Sequence, residues 1–149
     1  MSLPAIPALR QPNTLIEEKS KKLQNEEQNV ILSLKSDKSL VISSDAYHGI
    51  IMGRNMFRCV FCRAEMELDF KCKDAHVNSQ KHRKVLENYP HLEVHGDNLI
   101  RKADKENFYC TLCNVIVAKP FLLRHLGSEI HNQELEKALI RSSIYKPVH

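Results

Sequence analysis

Apolar positions along this chain come in short, separated bursts, with no single period sustained from end to end. Residues 1–13 carry Pro4, Pro7 and Pro12, a spacing that favours extended chain over helix or sheet. From Thr14 to about Leu34 the chain is polar and helix-permitting. Ile16, Leu23 and Val30 recur every seven residues there, but the alternate heptad positions hold Lys19 and Glu26 or Glu27. A coiled coil needs both seams apolar, so residues 1–38 read as a largely disordered or frayed-helix segment.

Past Ser39 the pattern turns apolar. Leu40-Val41-Ile42 and Ile50-Ile51-Met52 read as short strands, with Gly49 and Gly53 as turn punctuation. The second copy repeats the feature, with Asn98-Leu99-Ile100 lying ahead of Phe108-Tyr109-Cys110. Phe57 and Phe108 each stand two positions before a cysteine, where a strand residue turns back onto a small core. Return strands are expected at Glu65–Phe70 and Val115–Val117. A first helix should start near Lys71–Asp74 and run through His82 until Pro90 stops it. Pro120 suits the opening turn of a second helix, which carries Phe121, Leu122 and Leu123 into His125. Leu135, Ala138 and Leu139 keep an apolar face beyond His131.

The candidate chemistry explains why such short elements could fold. Cys59-x2-Cys62-x13-His76-x5-His82 is followed by Cys110-x2-Cys113-x11-His125-x5-His131. Two thiolates and two imidazoles close a tetrahedral Zn²⁺ site with no open position, so two zinc ions per chain are expected. The pattern divides the 149 residues into pieces too small to fold on apolar burial alone. Structural zinc supplies ~10–16 kcal/mol in finger peptides. The expected fold class is therefore small α+β: two zinc-stabilised ββα-like fingers joined by a long linker. The first unit is assigned to residues 39–90, the linker to 91–107, and the second unit, with an extended C-terminal helix, to 108–145.

Five cysteines, four of them in Cys-x2-Cys pairs beside histidines, indicate metal in a reducing compartment more readily than disulfides. No signal peptide and no membrane span are expected from the apolar pattern. A closed donor set, with no separate nucleophile–base pair, points away from an enzyme and from a small-molecule substrate.

The x5 spacing of the histidines is a physical constraint. Positions i and i+6 of a helix lie about 120° apart around the axis, so both histidines reach one ion only if the helix loosens between them. Asn78, Ser79, Gly127 and Ser128 occupy that interval and suit a break. His76-Val77-Asn78-Ser79-Gln80-Lys81-His82, after its cysteine pair, resembles the matrin-type fingers shared by the spliceosomal snRNP C protein and double-stranded-RNA-binding fingers. His125-Leu126-Gly127-Ser128-Glu129-Ile130-His131 resembles a second member. The resemblance covers roughly residues 57–89 and 108–135. It implies two ββα-like zinc modules, nuclear residence, and RNA or ribonucleoprotein binding. Members commonly place Gly-Lys-Lys before the last histidine, and both copies depart from that.

Charge separates the copies. Residues 54–89 hold eight Lys/Arg against five acids, a net of +3, whereas 105–141 hold five against four, a net of +1. Lys81, Arg83 and Lys84 are the expected contacts to structured or double-stranded RNA, joined by Arg58, Arg63, Lys71 and Lys73. In the second copy Ile130, Leu135 and Leu139 serve either a protein partner or the module's own core. Two functions stand side by side: an RNA-binding adaptor, and a protein-interaction module within a ribonucleoprotein or chromatin complex. Cys72 is read as a small core residue equivalent to Phe121, with an alternative ligand or redox-sensitive thiol as the rival. His48, His91, His95 and His149 fit no ligand spacing and are expected on the surface or in turns. With 27 residues (83–109) between His82 and Cys110, the modules are either tethered or docked through Val85, Leu86 and Tyr89.

Overall fold

A two-stranded antiparallel hairpin opens the described part of the chain, β1 (Asn29–Ser33) against β2 (Ser39–Ser43). The computed structural model describes residues 29–35 and 37–144, and the expectations for residues 1–28 lie outside it. The hairpin corrects the frayed-helix expectation at residues 29–34. Val30 and Leu32 pair with Ile42 and Leu40 and turn inward at every second residue, a strand period that wins over the heptad containing Val30. Ser43 then caps α1 (Ser44–His48), its hydroxyl accepting from the Ala46 amide at 3.1 Å.

Two units of the same design follow. In the first, β3 (Ile50–Met52), β4 (Met56–Cys59) and β5 (Ala64–Glu67) form an antiparallel sheet in that order, with Ile50 and Ala64 both opposite Cys59. Asp69 caps α2 (Phe70–Val77), and Ser79 caps α3 (Gln80–Leu86). In the second, a 3₁₀ segment (Glu93–Asn98) leads into β6 (Ile100–Lys102), β7 (Asn107–Cys110) and β8 (Val115–Ala118), with Ile100 and Val115 both opposite Cys110. Pro120 sits in a 3₁₀ turn before α4 (Leu122–Leu126), and α5 (Glu129–Ile144) ends the described chain. Each unit is thus a three-stranded sheet with a broken helix. Residues 91–107 are not a slack linker. They supply β6, the leading strand of the second sheet, and His91 bridges to Arg101 beside it.

The two cores differ in size. The first holds Ile50, Phe57, Cys59 and Val77. The second unites Leu99, Ile100, Cys110, Leu112, Val117, Leu122 and Ala138 with Leu40 and Ile42 of the hairpin. β2, expected in the first unit, therefore packs on α5 of the second, and the Arg141 guanidinium donates to the Val41 carbonyl at 3.4 Å. Leu135 and Leu139, half-buried, pack on this same core.

The units dock on one another. Tyr109, fully buried, donates from its hydroxyl to the Ala46 carbonyl at 3.0 Å, while the Asn114 amide donates to the Ile50 carbonyl at 2.9 Å. The Phe61 ring sits between Tyr89 and Tyr109, with centroids 4.8 and 5.3 Å away. Buried Arg101 donates to the Tyr47 carbonyl at 2.7 Å and lies over the Tyr47 and Phe61 rings. Of the residues expected at a docked face, Tyr89 takes part through this ring stack. Gly49 closes α1 at φ 73°, and a Cβ there would meet Phe61 at 2.5 Å. Among the described residues, no helix is long and apolar enough to cross a membrane.

Candidate metal centres

Each cysteine pair sits on a knuckle between two strands, and one residue just past it adopts left-handed backbone. Arg63 (φ 55°) follows Cys62, and Asn114 (φ 53°) follows Cys113. The first cysteine of each pair is fully buried. The knuckle is anchored from the leading strand's side as well. The Val60 amide donates to the Gly49 carbonyl at 2.9 Å, and its counterpart Thr111 donates to the Leu99 carbonyl at 3.0 Å.

The histidines arrive on the broken helix, and one serine makes both ends of the break. The Ser79 hydroxyl donates to the His76 carbonyl at 2.6 Å and accepts from the His82 amide at 3.2 Å. Ser128 repeats this with His125 at 2.7 Å and His131 at 3.2 Å. The same side chain thus finishes one helix and starts the next. The break re-aims the second imidazole, as the x5 spacing demands.

Among the described residues two clusters of donors result: Cys59, Cys62, His76 and His82, and Cys110, Cys113, His125 and His131. Within each, the donor atoms lie within 4.8 Å of one another. In the first, His82 Nδ1 is 3.6 and 3.3 Å from the sulfurs of Cys59 and Cys62. In the second, His131 Nδ1 is 3.4 and 3.6 Å from those of Cys110 and Cys113. Zinc–sulfur and zinc–nitrogen bonds at the tetrahedral angle put S and N about 3.6 Å apart, so the spacing fits that ion. The Nε2 atoms of His76 and His125 are buried with no hydrogen-bond partner among the described residues. Buried polar atoms are normally satisfied, and a metal at the centre of each cluster would satisfy these two. Both clusters could hold a metal, each through two sulfurs, one Nε2 and one Nδ1.

Electrostatics agrees with that role. Burial, helped by His48 and His76, holds His82 down to about 4, and burial also lowers His76, so both stay neutral as ligands must. Burial and the adjoining Cys59 push the Cys62 thiol up to about 12. In the second pair a hydrogen bond from Cys113 brings Cys110 down to about 5, while that bond and burial drive Cys113 upward. One thiolate forms readily, and a second beside it needs a cation.

The outer nitrogens of the Nδ1 ligands are also held. His82 Nε2 meets His48 Nδ1 at 3.0 Å, and His131 Nε2 meets Asn98 Oδ1 at 2.8 Å. An Nε2–H donor in each case leaves Nδ1 free for metal. His48 stands 11 residues before Cys59 and Asn98 stands 12 before Cys110, an equivalence of place that the sequence offered and side-chain type concealed.

The other candidates separate. Lys81, Arg83 and Lys84 are exposed on α3, Lys71 is exposed at the start of α2, and Arg58 is exposed on β4 opposite Glu65. Arg63 is exposed on the knuckle. Lys73 is corrected: it is 4 % exposed, pairs with Asp45 at 3.1 Å and lies over the Phe57 and Phe70 rings. Its ammonium is thus buried between Asp45 and these two rings, away from the surface where the other cations stand. Cys72 belongs to neither cluster; its half-buried thiol lies 3.8 Å from the Asp69 carboxylate. Its counterpart Phe121 is 54 % exposed, so neither position is deep core. His91 is half-buried against Thr111 at 2.9 Å, not a surface residue. Comparison with protein-family models, with curated proteins and with solved structures returned no match.

Proposed function

We propose that this chain is a nuclear zinc-finger adaptor that binds structured or double-stranded RNA mainly through its first unit. The observation that carries this is the set of cations Lys81, Arg83 and Lys84, all exposed on α3 and next to buried His82 along the helix. A helix tied by its own metal ligand offers cations at fixed positions, which suits phosphate contacts that read shape more than sequence. The matching positions of α5 are Ile130, Asn132 and Gln133, which carry no charge. Lys71 and Arg58 add exposed positive charge to the same unit. Nuclear residence rests on the matrin-type resemblance of the ligand spacing.

Two zinc ions per chain are part of this reading. Bound zinc would cross-link knuckle to helix and supply folding energy. With four protein donors per ion, no position remains for a substrate, so the reading is of a binder. Native mass spectrometry should give two zinc ions per chain, and one would sink the two-site assignment.

The RNA reading is tested by titrating zinc-loaded protein with double-stranded RNA, single-stranded RNA and duplex DNA at two salt concentrations, beside Lys81/Arg83/Lys84→Glu. Duplex RNA should bind most tightly, and the variant should bind more weakly with a shallower salt dependence. Unchanged binding by the variant removes the site.

A second reading, a protein-interaction module, draws on one observation. Phe121, Leu123 and Ile130 are 54, 80 and 68 % exposed where the first unit has Cys72, Asp74 and Lys81. Undetectable RNA affinity at physiological salt, with loss of a cellular partner in Leu123→Asp/Ile130→Asp, would favour it.

A further inference from the structure

Docking of the two units leaves a groove of about 510 Å³ between them, lined among others by Arg63, Asn88, Tyr89, Lys102, Asp104 and Lys105. Arg63 comes from the first knuckle, whereas Lys102 and Lys105 come from the end of β6 and the turn after it. All three are exposed. Three cations face one carboxylate. Asp104 is already engaged, accepting from the Glu106 amide at 2.8 Å and from the Asn107 side chain at 3.2 Å. Those bonds hold it well below the usual carboxylate range, so its charge secures its own turn.

Two further observations point to the class of ligand. Tyr89 is half-buried with its ring stacked on Phe61, a braced aromatic platform at the wall of the groove. Cations beside a fixed aromatic ring are the combination that binds unpaired nucleotides. Arg63 also keeps left-handed backbone, where the equivalent residue of the second unit is Asn114, a type that tolerates it. Both knuckles require this backbone, and in the first unit it places a cation, Arg63, in the wall of the groove.

The groove also continues the α3 surface. Lys81, Lys84 and Asn88 recur at helical spacing, and the bonds from Asn88 to Val85 and from Tyr89 to Leu86 prolong the turn past the end of α3. Lys81 and Lys84 therefore share a helical face with Asn88, which lines the groove.

We infer that this groove takes a single-stranded segment of RNA leading out of a duplex, with phosphates on Arg63, Lys102 and Lys105 and a base stacked on Tyr89. The inference rests on the RNA reading of α3 and extends it to a duplex–single-strand junction.

The test uses the full, zinc-loaded chain with two RNAs, a blunt hairpin and the same hairpin bearing a short uridine overhang. The overhang should raise affinity roughly tenfold. Lys102→Glu/Lys105→Glu should abolish that gain while the blunt hairpin stays bound, and Tyr89→Leu, checked by its zinc content and melting curve, should do the same. Equal affinity for the two RNAs overturns the groove inference and leaves the α3 reading standing. No binding to either RNA overturns both. Competition by polyglutamate as effective as by oligouridine would also overturn it, because the groove would then read charge alone.

Discussion

The hydroxyl of Tyr109, on β7 of the second unit, donates to the backbone carbonyl of Ala46 on α1 at 3.0 Å. Ala46 is 5 % exposed and Tyr109 is fully buried, so the bond is made in a dry interface. The Asn114 side-chain oxygen sits against the same hydroxyl.

Tyr109→Phe should therefore take the hydroxyl donor away from the Asn114 side-chain oxygen and the Ala46 carbonyl, and cost about 1–3 kcal/mol. A fall in the thermal midpoint, with two metals still bound, is the expected outcome. An unchanged midpoint would show that docking adds nothing to stability.

Lys73 and Asp45 form an ion pair whose side chains are only 5 % and 14 % exposed. Asp45→Asn removes the carboxylate beside a buried ammonium and should cost about 3 kcal/mol by denaturant unfolding. Adding Lys73→Met removes that charge and keeps the stem over Phe57 and Phe70, so the double variant should recover most of the loss. Equal instability of single and double variants would refute this.

Ser79 and Ser128 each serve both ends of a helix break. Ser79→Ala should cost about 1 kcal/mol and weaken zinc binding at the first centre about fivefold. Ser128→Ala should do the same at the second. A competition titration against a chromophoric chelator measures both, and unaltered affinity would show that the break forms without the serine.

Metal removal should be uneven. The first core is small and the second is enlarged by the hairpin and α5. Under graded chelation, amide protection should vanish from residues 50–86 before residues 98–144. Simultaneous loss would mean that docking couples the two more strongly than their cores distinguish them.

His91 gives a pH dependence. Burial, and then Arg101, lowers it from 6.5 to about 3. Between these values the unfolded chain binds a proton that the folded chain does not, so stability falls as pH drops. One such group contributes about 1.4 kcal/mol per pH unit inside that window. At saturating zinc, His91→Gln should flatten the decline from about pH 6.5 to 5 by one proton. An unaltered slope would place the titration elsewhere.

The eight donors were legible because metal binding constrains spacing, and the helix break was legible because two histidines six positions apart cannot share one face. Other features were hidden by distance along the chain. Lys73 and Lys71 look alike in sequence, and the buried one is told apart by distant neighbours such as Asp45, 28 residues earlier, and Phe57. The alternation of Val30 and Leu32 makes sense only once Ala138 and its neighbours close over β2. Tyr109 and Arg101 look like ordinary strand residues until Ala46 and Tyr47 are placed against them.

Arg101, buried across the junction, turns the two donor clusters into fixed marks on one ruler. For loosely strung modules, a second contact with a partner is governed by linker statistics, and its entropy is lost on binding. Here that ordering is completed when the chain folds. A rigid partner whose contact points match the spacing would be gripped at both in one step, and a partner with another spacing would be refused by geometry alone.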